Sequence, residues 1–141
     1  MAVHQWQSRV RDYEGDIYGG VNAATYMNFM EEARKWFLAQ YGFNLKAMFE
    51  RDLGFVGTRY EIDYKLSLYP GDEFVIETSM VRTSRLLVKF TQHVFRLPDR
   101  KLALECTNYG LPITVSTGKP TWPIELEDLL MDFPIQPKTQ T

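Results

Sequence analysis

The chain has 141 residues, of which 45% are hydrophobic, and its formal net charge is −2. This length predicts a single domain, and the apolar content excludes a disordered chain. The small net charge gives no global attraction to nucleic acid or to an anionic membrane, so we expect neither as a partner. Cys106 is the only cysteine, which excludes an intrachain disulfide framework and favours a reducing compartment.

Several other classes of protein are disfavoured by what the sequence lacks. It has no signal-peptide pattern at its start and no apolar run of membrane-spanning length, so we expect a cytoplasmic protein without membrane insertion. His4 and His93 are too isolated to form a zinc site, and no phosphate loop, nucleophile elbow or dinucleotide fingerprint is present. We therefore expect neither a metal nor a cofactor.

The N-terminal half is predicted to form a strand followed by a long helix. Residues 3–13 favour the strand, and the glycines that follow favour a turn. Asn22 is a credible helix N-cap, because its side chain can accept a hydrogen bond from an early helical N–H. Apolar residues then recur at three- and four-residue steps over residues 23–41, which predicts an amphipathic helix that Gly42 ends.

The remainder of the chain is predicted to be mainly antiparallel strands. A short helix is expected over 45–50, and alternation of apolar and polar residues over 60–68 predicts a half-buried strand. The Tyr69-Pro70-Gly71-Asp72 segment suits a turn, because Pro and Gly occupy its two central positions. Further strands are predicted at 73–83, 85–97 and 101–117, and Pro123 can open a short helix. Residues 1–133 would form the domain and residues 134–141 a flexible tail.

The segment from Val10 to Tyr26 is the most informative part of the sequence. It delivers the carboxylate of Asp16 through a glycine-bearing turn to the predicted helix start. A helix start presents unpaired N–H groups and a partial positive charge, which can polarise a carbonyl oxygen, while a nearby carboxylate can act as base or nucleophile. On spacing alone, however, an Asp beside Gly is better explained as an ordinary turn residue.

The pattern V-R-x-x-x-x-D-x-x-G-x-V-N-x-x-x-Y over residues 10–26, followed by Glu-Glu-Ala-Arg at 31–34, resembles the signature of hotdog-fold acyl thioesterases. The resemblance is to the 4-hydroxybenzoyl-CoA thioesterase-like group, and within it to the small acyl-carrier-protein thioesterases of plants and bacteria. It continues through the segments at 54–58, 69–72 and 95–98. It implies an α+β hotdog fold, in which a long central helix is wrapped by an antiparallel sheet. It also implies a homodimer or homotetramer with active sites at the dimer interface.

The resemblance also assigns roles to individual residues. Asp16 aligns with the catalytic carboxylate, as general base or nucleophile, and the backbone N–H groups of Ala23 and Ala24 would form the oxyanion site. Many relatives carry another side chain at the positions of Gly20 and Ala23, so this chain departs from the pattern there. The implied substrate-binding residues are Gly19, Gly20, Asn22, Tyr26, Thr58, Ser84 and Arg85.

Structural explanations compete with several of these roles. Asn22 can be only a cap, and Thr58 can be only a strand residue. Arg85 is expected to share a strand face with Lys89 and His93, but beside Ser84 its guanidinium also suits the phosphates of coenzyme A or phosphopantetheine. Glu31 and Glu32 are read as ion-pair partners of Arg34 or Lys35 rather than as catalytic acids.

The leading functional prediction is a cofactor-independent thioesterase. Its substrate would be an acyl thioester of coenzyme A or acyl carrier protein, with a fatty or polyketide-like acyl group that the many aromatic and Met side chains suit. The basic run over residues 82–101 is compatible with an acidic carrier protein. One alternative is a non-catalytic acyl-binding or scaffold hotdog protein. A hotdog dehydratase is disfavoured, because no histidine lies near the predicted helix start.

Overall fold

The computed structural model describes residues 3–124 and 126. One long helix, one short helix and six strands make up the fold. In chain order they are β1 (His4–Arg9), α1 (Ala23–Gln40), α2 (Leu45–Glu50), β2 (Leu53–Tyr64), β3 (Glu73–Arg82), β4 (Val88–Leu97), β5 (Lys101–Thr114) and β6 (Lys119–Pro120), with a 3-10 helix at Asp12–Glu14.

The strands form one antiparallel sheet with the order β1-β3-β4-β5-β2, and the short β6 pairs with β5. The strands β1 and β2 are therefore the two edges of the main sheet. The strand β1 ends and β3 begins at one end of the sheet, which we call the Asp16 end, and β2 also finishes there. The opposite end carries the loop between β3 and β4, and we call it the Arg85 end.

Helix α1 lies across one face of this sheet and buries most of its predicted apolar stripe, but Trp36, which the sequence predicts to widen the stripe, is 46% exposed. Near its start, Phe29 and Met30 pack against Phe74 and Ile76 of β3, and near its end Phe37 packs against Phe90 of β4. Burial of large apolar side chains on both elements is the main stabilising contribution to this packing. The helix runs from the Asp16 end to the Arg85 end, which fixes where its N-terminus is presented.

The local signals that predicted turns and helix ends are confirmed. Helix α1 begins at Ala23 after the Asn22 cap, and Gly42 follows it with φ of +77°. Helix α2 covers Leu45–Glu50 as expected. In the turn between Tyr69 and Asp72, the Asp72 N–H donates to the Tyr69 carbonyl at 2.9 Å, and Gly71 has φ of +91°. These positions are decided by short-range backbone chemistry, so sequence predicts them well.

The strand boundaries differ from the prediction in several places; for example, β2 ends at Tyr64 rather than at residue 68, and β5 ends at Thr114 rather than at residue 117. The strand β1 stops at Arg9, because the Arg11 N–H binds the Glu14 carboxylate and the chain turns into the 3-10 helix. The strand β2 begins at Leu53 rather than at residue 60, because it pairs with β5 along its whole length through a bulge at Gly57. Glycines at 54 and 57 interrupt the alternation that would have revealed it.

Another difference concerns β4, which begins at Val88 rather than at residue 85. The Thr83 N–H donates to the Leu87 carbonyl at 2.9 Å, which closes a tight loop between β3 and β4. The Arg82 side chain also donates to the carbonyls of Ser84 and Arg85. Arg85 therefore lies in this loop, and the expectation that it shares a strand face with Lys89 and His93 is wrong.

The expected ion pairs of Glu31 and Glu32 with Arg34 or Lys35 are also wrong, since none of them forms among the described residues. The Arg34 guanidinium donates to Oε1 of Gln92 on β4 at 2.9 Å, while Glu32 accepts a hydrogen bond from the Trp36 indole. The reason is that Arg34 lies on the side of α1 that faces the sheet. The predicted tail at 134–141, and nearly all of the helix expected after Pro123, lie outside the described residues.

Within residues 3–124 and 126, no helix is both long and apolar enough to cross a membrane.

Candidate active site

The loop between β1 and α1 holds Asp16 at the start of the helix. The Asp16 N–H donates to the Gly20 carbonyl at 2.8 Å, and the Gly19 N–H donates back to the Asp16 carbonyl at 2.9 Å. Gly19 has φ of +91°, a backbone conformation that side chains disfavour. The Val21 N–H then donates to the carbonyl of Leu68, which lies just before β3. This hydrogen bond holds the loop against the rest of the domain.

The carboxylate of Asp16 is half-buried and already oriented. Its Oδ1 accepts a hydrogen bond from the Tyr18 N–H at 2.8 Å, which is the Asx-turn geometry typical of Asp before a glycine-rich turn. Among the described residues, no donor is bonded to its Oδ2. One oxygen therefore fixes the side chain, and the other is available to a water molecule or a substrate carbonyl.

The N-terminus of α1 supplies two free hydrogen-bond donors. The Asn22 side chain accepts from the Thr25 N–H at 3.0 Å, and the Tyr26 N–H is bonded to the Asn22 carbonyl. The first two helical residues, Ala23 and Ala24, have N–H groups for which no described residue is an acceptor. Capping by Asn22 is thus confirmed, and it leaves free the two N–H groups that the prediction requires.

Asp16 and Ala23 line one open cavity of about 470 Å³ at the Asp16 end of the sheet, whereas Ala24, Gly19 and Gly20 are not among its lining residues. The cavity unites four residues that the sequence predicted with five that it missed. Its lining consists of Asp16, Val21, Asn22, Ala23, Tyr26, Tyr64, Lys65, Leu66 and Ser67. Of the missed residues, Val21 precedes Asn22 in the loop, and the other four come from the end of β2 and the segment after it, which only the folded chain brings beside α1.

Tyr26 forms part of the cavity wall. Its hydroxyl oxygen accepts a hydrogen bond from the Leu68 N–H at 2.8 Å, and its ring contacts the ring of Tyr64. Burial raises the pKa of Tyr26 above its usual value, so the phenol stays protonated at neutral pH. The hydroxyl therefore anchors the segment before β3, while the ring borders the space that a substrate would occupy.

The glycine that departs from the family pattern sits in a crowded position. A Cβ atom added to Gly20 would come within 3.4 Å of the Leu68 carbonyl oxygen and close to Ser67 and Tyr69. Gly20 is buried in the wall that holds the loop to the segment before β3. Gly19 has open space around it, so the positive φ at this position, rather than crowding, explains why glycine occupies it.

The other predicted binding residues lie away from this cavity within one chain. Thr58 sits at the bulge of β2, where its hydroxyl donates to the Tyr109 carbonyl at 3.2 Å. Ser84 and Arg85 occupy the loop at the Arg85 end, so the full length of β3 separates them from Asp16. Their proposed contacts with substrate therefore stay predictions.

Within the part of the chain that the structure describes, no group of three or more His, Cys, Asp or Glu side chains is arranged to hold a metal ion. The cavity lining includes the Asp16 carboxylate and the Ala23 backbone, together with the side chains of Tyr26, Tyr64, Lys65 and Ser67.

Comparison with known proteins agrees with this geometry. Residues 10–130 match the sequence model of the Thioesterase-like superfamily. The chloroplastic acyl-acyl carrier protein thioesterase ATL3 of Arabidopsis thaliana is 30% identical over 102 residues, which are 72% of this chain and 54% of that protein. The chain thus spans about half the length of the curated relatives it matches.

Solved structures reproduce the same helix-on-sheet arrangement. The DHNA-CoA thioesterase from Staphylococcus aureus has a TM-score of 0.87 at 20% identity, covering 94% of this chain and 91% of that one. The hypothetical protein AQ1494 from Aquifex aeolicus has a TM-score of 0.82 at 26% identity, covering 90% of this chain and 98% of that one. The fold is the expected hotdog fold, and the chain belongs to the Thioesterase-like superfamily.

Proposed function

We propose that this protein is an acyl thioesterase that hydrolyses an acyl thioester of coenzyme A or acyl carrier protein to the free acid. The observation that carries the proposal is that the Asp16 carboxylate and Ala23, the first helical residue with a free N–H, line one cavity. Membership of the superfamily and the likeness to acyl carrier protein thioesterases support the same reaction class.

In the proposed reaction, the substrate carbonyl oxygen faces the N–H groups of Ala23 and Ala24. Negative charge develops on that oxygen when the carbonyl carbon is attacked, and backbone donors at a helix N-terminus stabilise it. Because Asn22 already caps the Thr25 N–H, the donors left for substrate are those of the first two helical residues.

Asp16 would supply the second component through its free Oδ2. As a general base it takes a proton from water while the water oxygen bonds to the acyl carbon. As a nucleophile it forms an anhydride with the acyl group, which water then opens. In both routes the C–S bond breaks, the thiol leaves with a proton, and the acyl group departs as a carboxylic acid.

A homodimer, or a homotetramer built from such dimers, would complete the site. The strand β2 is an edge of the sheet, and its side chains Val56, Tyr60 and Tyr64 have exposed fractions of 40%, 38% and 51%. A long edge strand with exposed apolar side chains favours pairing with another strand. Antiparallel pairing of two β2 strands around a two-fold axis would cover both edges with the same surface.

This pairing would also bring together the residues that one chain keeps apart. The strand β2 starts at the Arg85 end and finishes at the Asp16 end. Antiparallel pairing with a second copy therefore sets the Arg85 end of one subunit beside the Asp16 end of the other. Ser84 and Arg85 of the partner subunit would then be available to the phosphates of a thioester bound at Asp16, and Thr58 would face the shared interface.

The proposal is tested by incubating the protein with purified acyl-CoA and acyl carrier protein thioesters and measuring the thiol that is released. Release of free thiol and free acid by the wild type, abolished in Asp16→Asn, is the expected result. Tight binding of these thioesters without any turnover would instead favour a non-catalytic acyl-binding protein.

A further inference from the structure

A second cavity, of about 200 Å³, lies farther along α1 from the proposed active site. Like the first, it has α1 on one side and β2 on the other. Its lining combines a mostly apolar wall with a few polar groups: Glu31, Arg34, Lys35, Leu38, Leu45, Phe55, Val56, Gly57, Tyr60, Phe90, Asn108 and Gly110. Arg34 follows Ala23 by eleven residues, which places it about 16 Å along the helix from the free N–H groups.

Three charged residues line this cavity, Glu31, Arg34 and Lys35, and the guanidinium of Arg34 is held in place by the core. It donates to Oε1 of Gln92 at 2.9 Å, and the Gln92 amide in turn donates to the Met30 carbonyl at 2.9 Å and to the Thr78 hydroxyl at 3.1 Å. The guanidinium also lies 5.6 Å from the ring centre of Tyr60. Gln92 and Thr78 are fully buried, so this network is part of the core.

Arg34 forms no salt bridge with a described carboxylate, although the negative charge of Glu31, which lines the same cavity, favours its protonated form. Burial lowers the pKa of Arg34, which records the cost of removing this cation from water, although a guanidinium remains protonated. The hydrogen bond to Gln92 uses one of the five N–H donors of Arg34. The face of the Tyr60 ring is a weaker acceptor than an oxygen atom. An oxygen atom entering the cavity can accept a hydrogen bond from an Arg34 N–H group for which no described residue is an acceptor.

Asn108 adds a polar group to the same cavity wall. Its amide nitrogen donates to the carbonyls of Arg59 and Tyr109 at 3.1 and 3.2 Å, which fixes the orientation of the side chain. Its Oδ1 accepts no hydrogen bond from the described residues. The cavity therefore offers donors from Arg34 and an acceptor from Asn108, and a hydroxyl group complements both kinds of group.

We propose that this cavity receives the far end of the acyl chain and that Arg34, with Asn108, recognises a hydroxyl group carried there. The inference rests on the proposed thioesterase function, because that function places the thioester at Asp16. The acyl chain would then lie between α1 and β2. The substrate class is then a hydroxylated long-chain acyl thioester, in which the oxygen lies far from the thioester carbonyl. The apolar side chains Leu38, Phe55 and Phe90 enclose the carbons before the hydroxyl.

The test compares the coenzyme A thioesters of dodecanoic acid and ω-hydroxydodecanoic acid. The wild type is expected to show a kcat/KM roughly tenfold or more higher for the hydroxylated chain, because a hydrogen bond to a charged donor is gained. In Arg34→Met this preference is expected to disappear while hydrolysis of the dodecanoyl thioester continues. Arg9→Met, which removes an exposed arginine on β1, is the matched control and should keep the preference.

Equal kcat/KM values for the two thioesters in the wild type would overturn the proposal, as would a preference that survives in folded Arg34→Met. Because Arg34 belongs to a buried network, a crystal structure of the wild type with ω-hydroxydodecanoic acid gives a second measurement that needs no variant. The hydroxyl is expected within hydrogen-bond distance of the Arg34 guanidinium, and any other position contradicts the inference. Absence of hydrolysis for both thioesters would refute the thioesterase function itself and leave this binding test intact.

Discussion

Replacing Asp16 with Asn separates the chemical role of this residue from its structural one. The Asn side chain is nearly isosteric, and its carbonyl oxygen can keep the hydrogen bond from the Tyr18 N–H that Oδ1 accepts at 2.8 Å. Both proposed mechanisms, however, need an ionised oxygen at Oδ2. We therefore expect kcat to fall by about 10² or more with substrate binding retained, which corresponds to about 2.7 kcal/mol in the activation free energy.

The same hydrogen bond sets the expected changes in stability. Asp16→Asn keeps it, so the free energy of unfolding should change by no more than about 0.5 kcal/mol. Asp16→Ala removes it, and a typical hydrogen bond contributes about 1 kcal/mol, which lowers Tm by about 2–5 °C for a domain of this size. Calorimetry on the wild type and both variants measures these changes beside the thiol-release assay.

Asp12→Asn is the matched control, because Asp12 is an exposed acid in the same loop that does not line the cavity. It makes the same change of charge and should leave kcat unaltered. Thiol release at the wild-type rate by a folded Asp16→Asn protein would refute the mechanism. A comparable loss of kcat in Asp12→Asn would show that the net charge of the loop, rather than Oδ2 of Asp16, controls the rate.

Four further outcomes are expected. Arg85→Ala should raise KM several-fold for the full coenzyme A thioester and much less for a truncated substrate without phosphates; equal effects would give Arg85 a structural role. Asn22→Ala should lower the free energy of unfolding by about 0.5–2 kcal/mol, as measured by urea titration, whereas Asn22→Asp should keep the cap and most of that stability. Burial raises the pKa of Cys106 from 9.0 to about 11. The folded thiol therefore keeps its proton while the unfolded chain loses it, so stability should fall by roughly 2 kcal/mol between those pH values, and Cys106→Ala should show a flatter pH dependence. Sedimentation at micromolar concentration should find a homodimer or homotetramer, and a stable, active monomer would contradict the proposed pairing of β2.

The sequence by itself determined the features that depend on neighbouring residues. The Asn22 cap, the stop at Gly42 and the Pro70-Gly71 turn follow from backbone chemistry within a few positions. The three- and four-residue spacing likewise predicted which side of α1 is buried. The Asp16 turn could be found for the same reason, since its carboxylate and its glycines are adjacent in the chain.

Only the tertiary structure decided what is distant in sequence. Tyr64 and Lys65 join Asp16 because β2 ends beside the start of α1. The strand β2 itself extends back to Leu53 because β5 pairs with it there, a long-range contact that no local pattern records. An arginine such as Arg34 is expected on the exposed face of a helix, yet the fold directs its side chain toward Gln92, fifty-eight positions away. Local propensity sets the ends of the elements, whereas packing between them sets which side chains share a cavity.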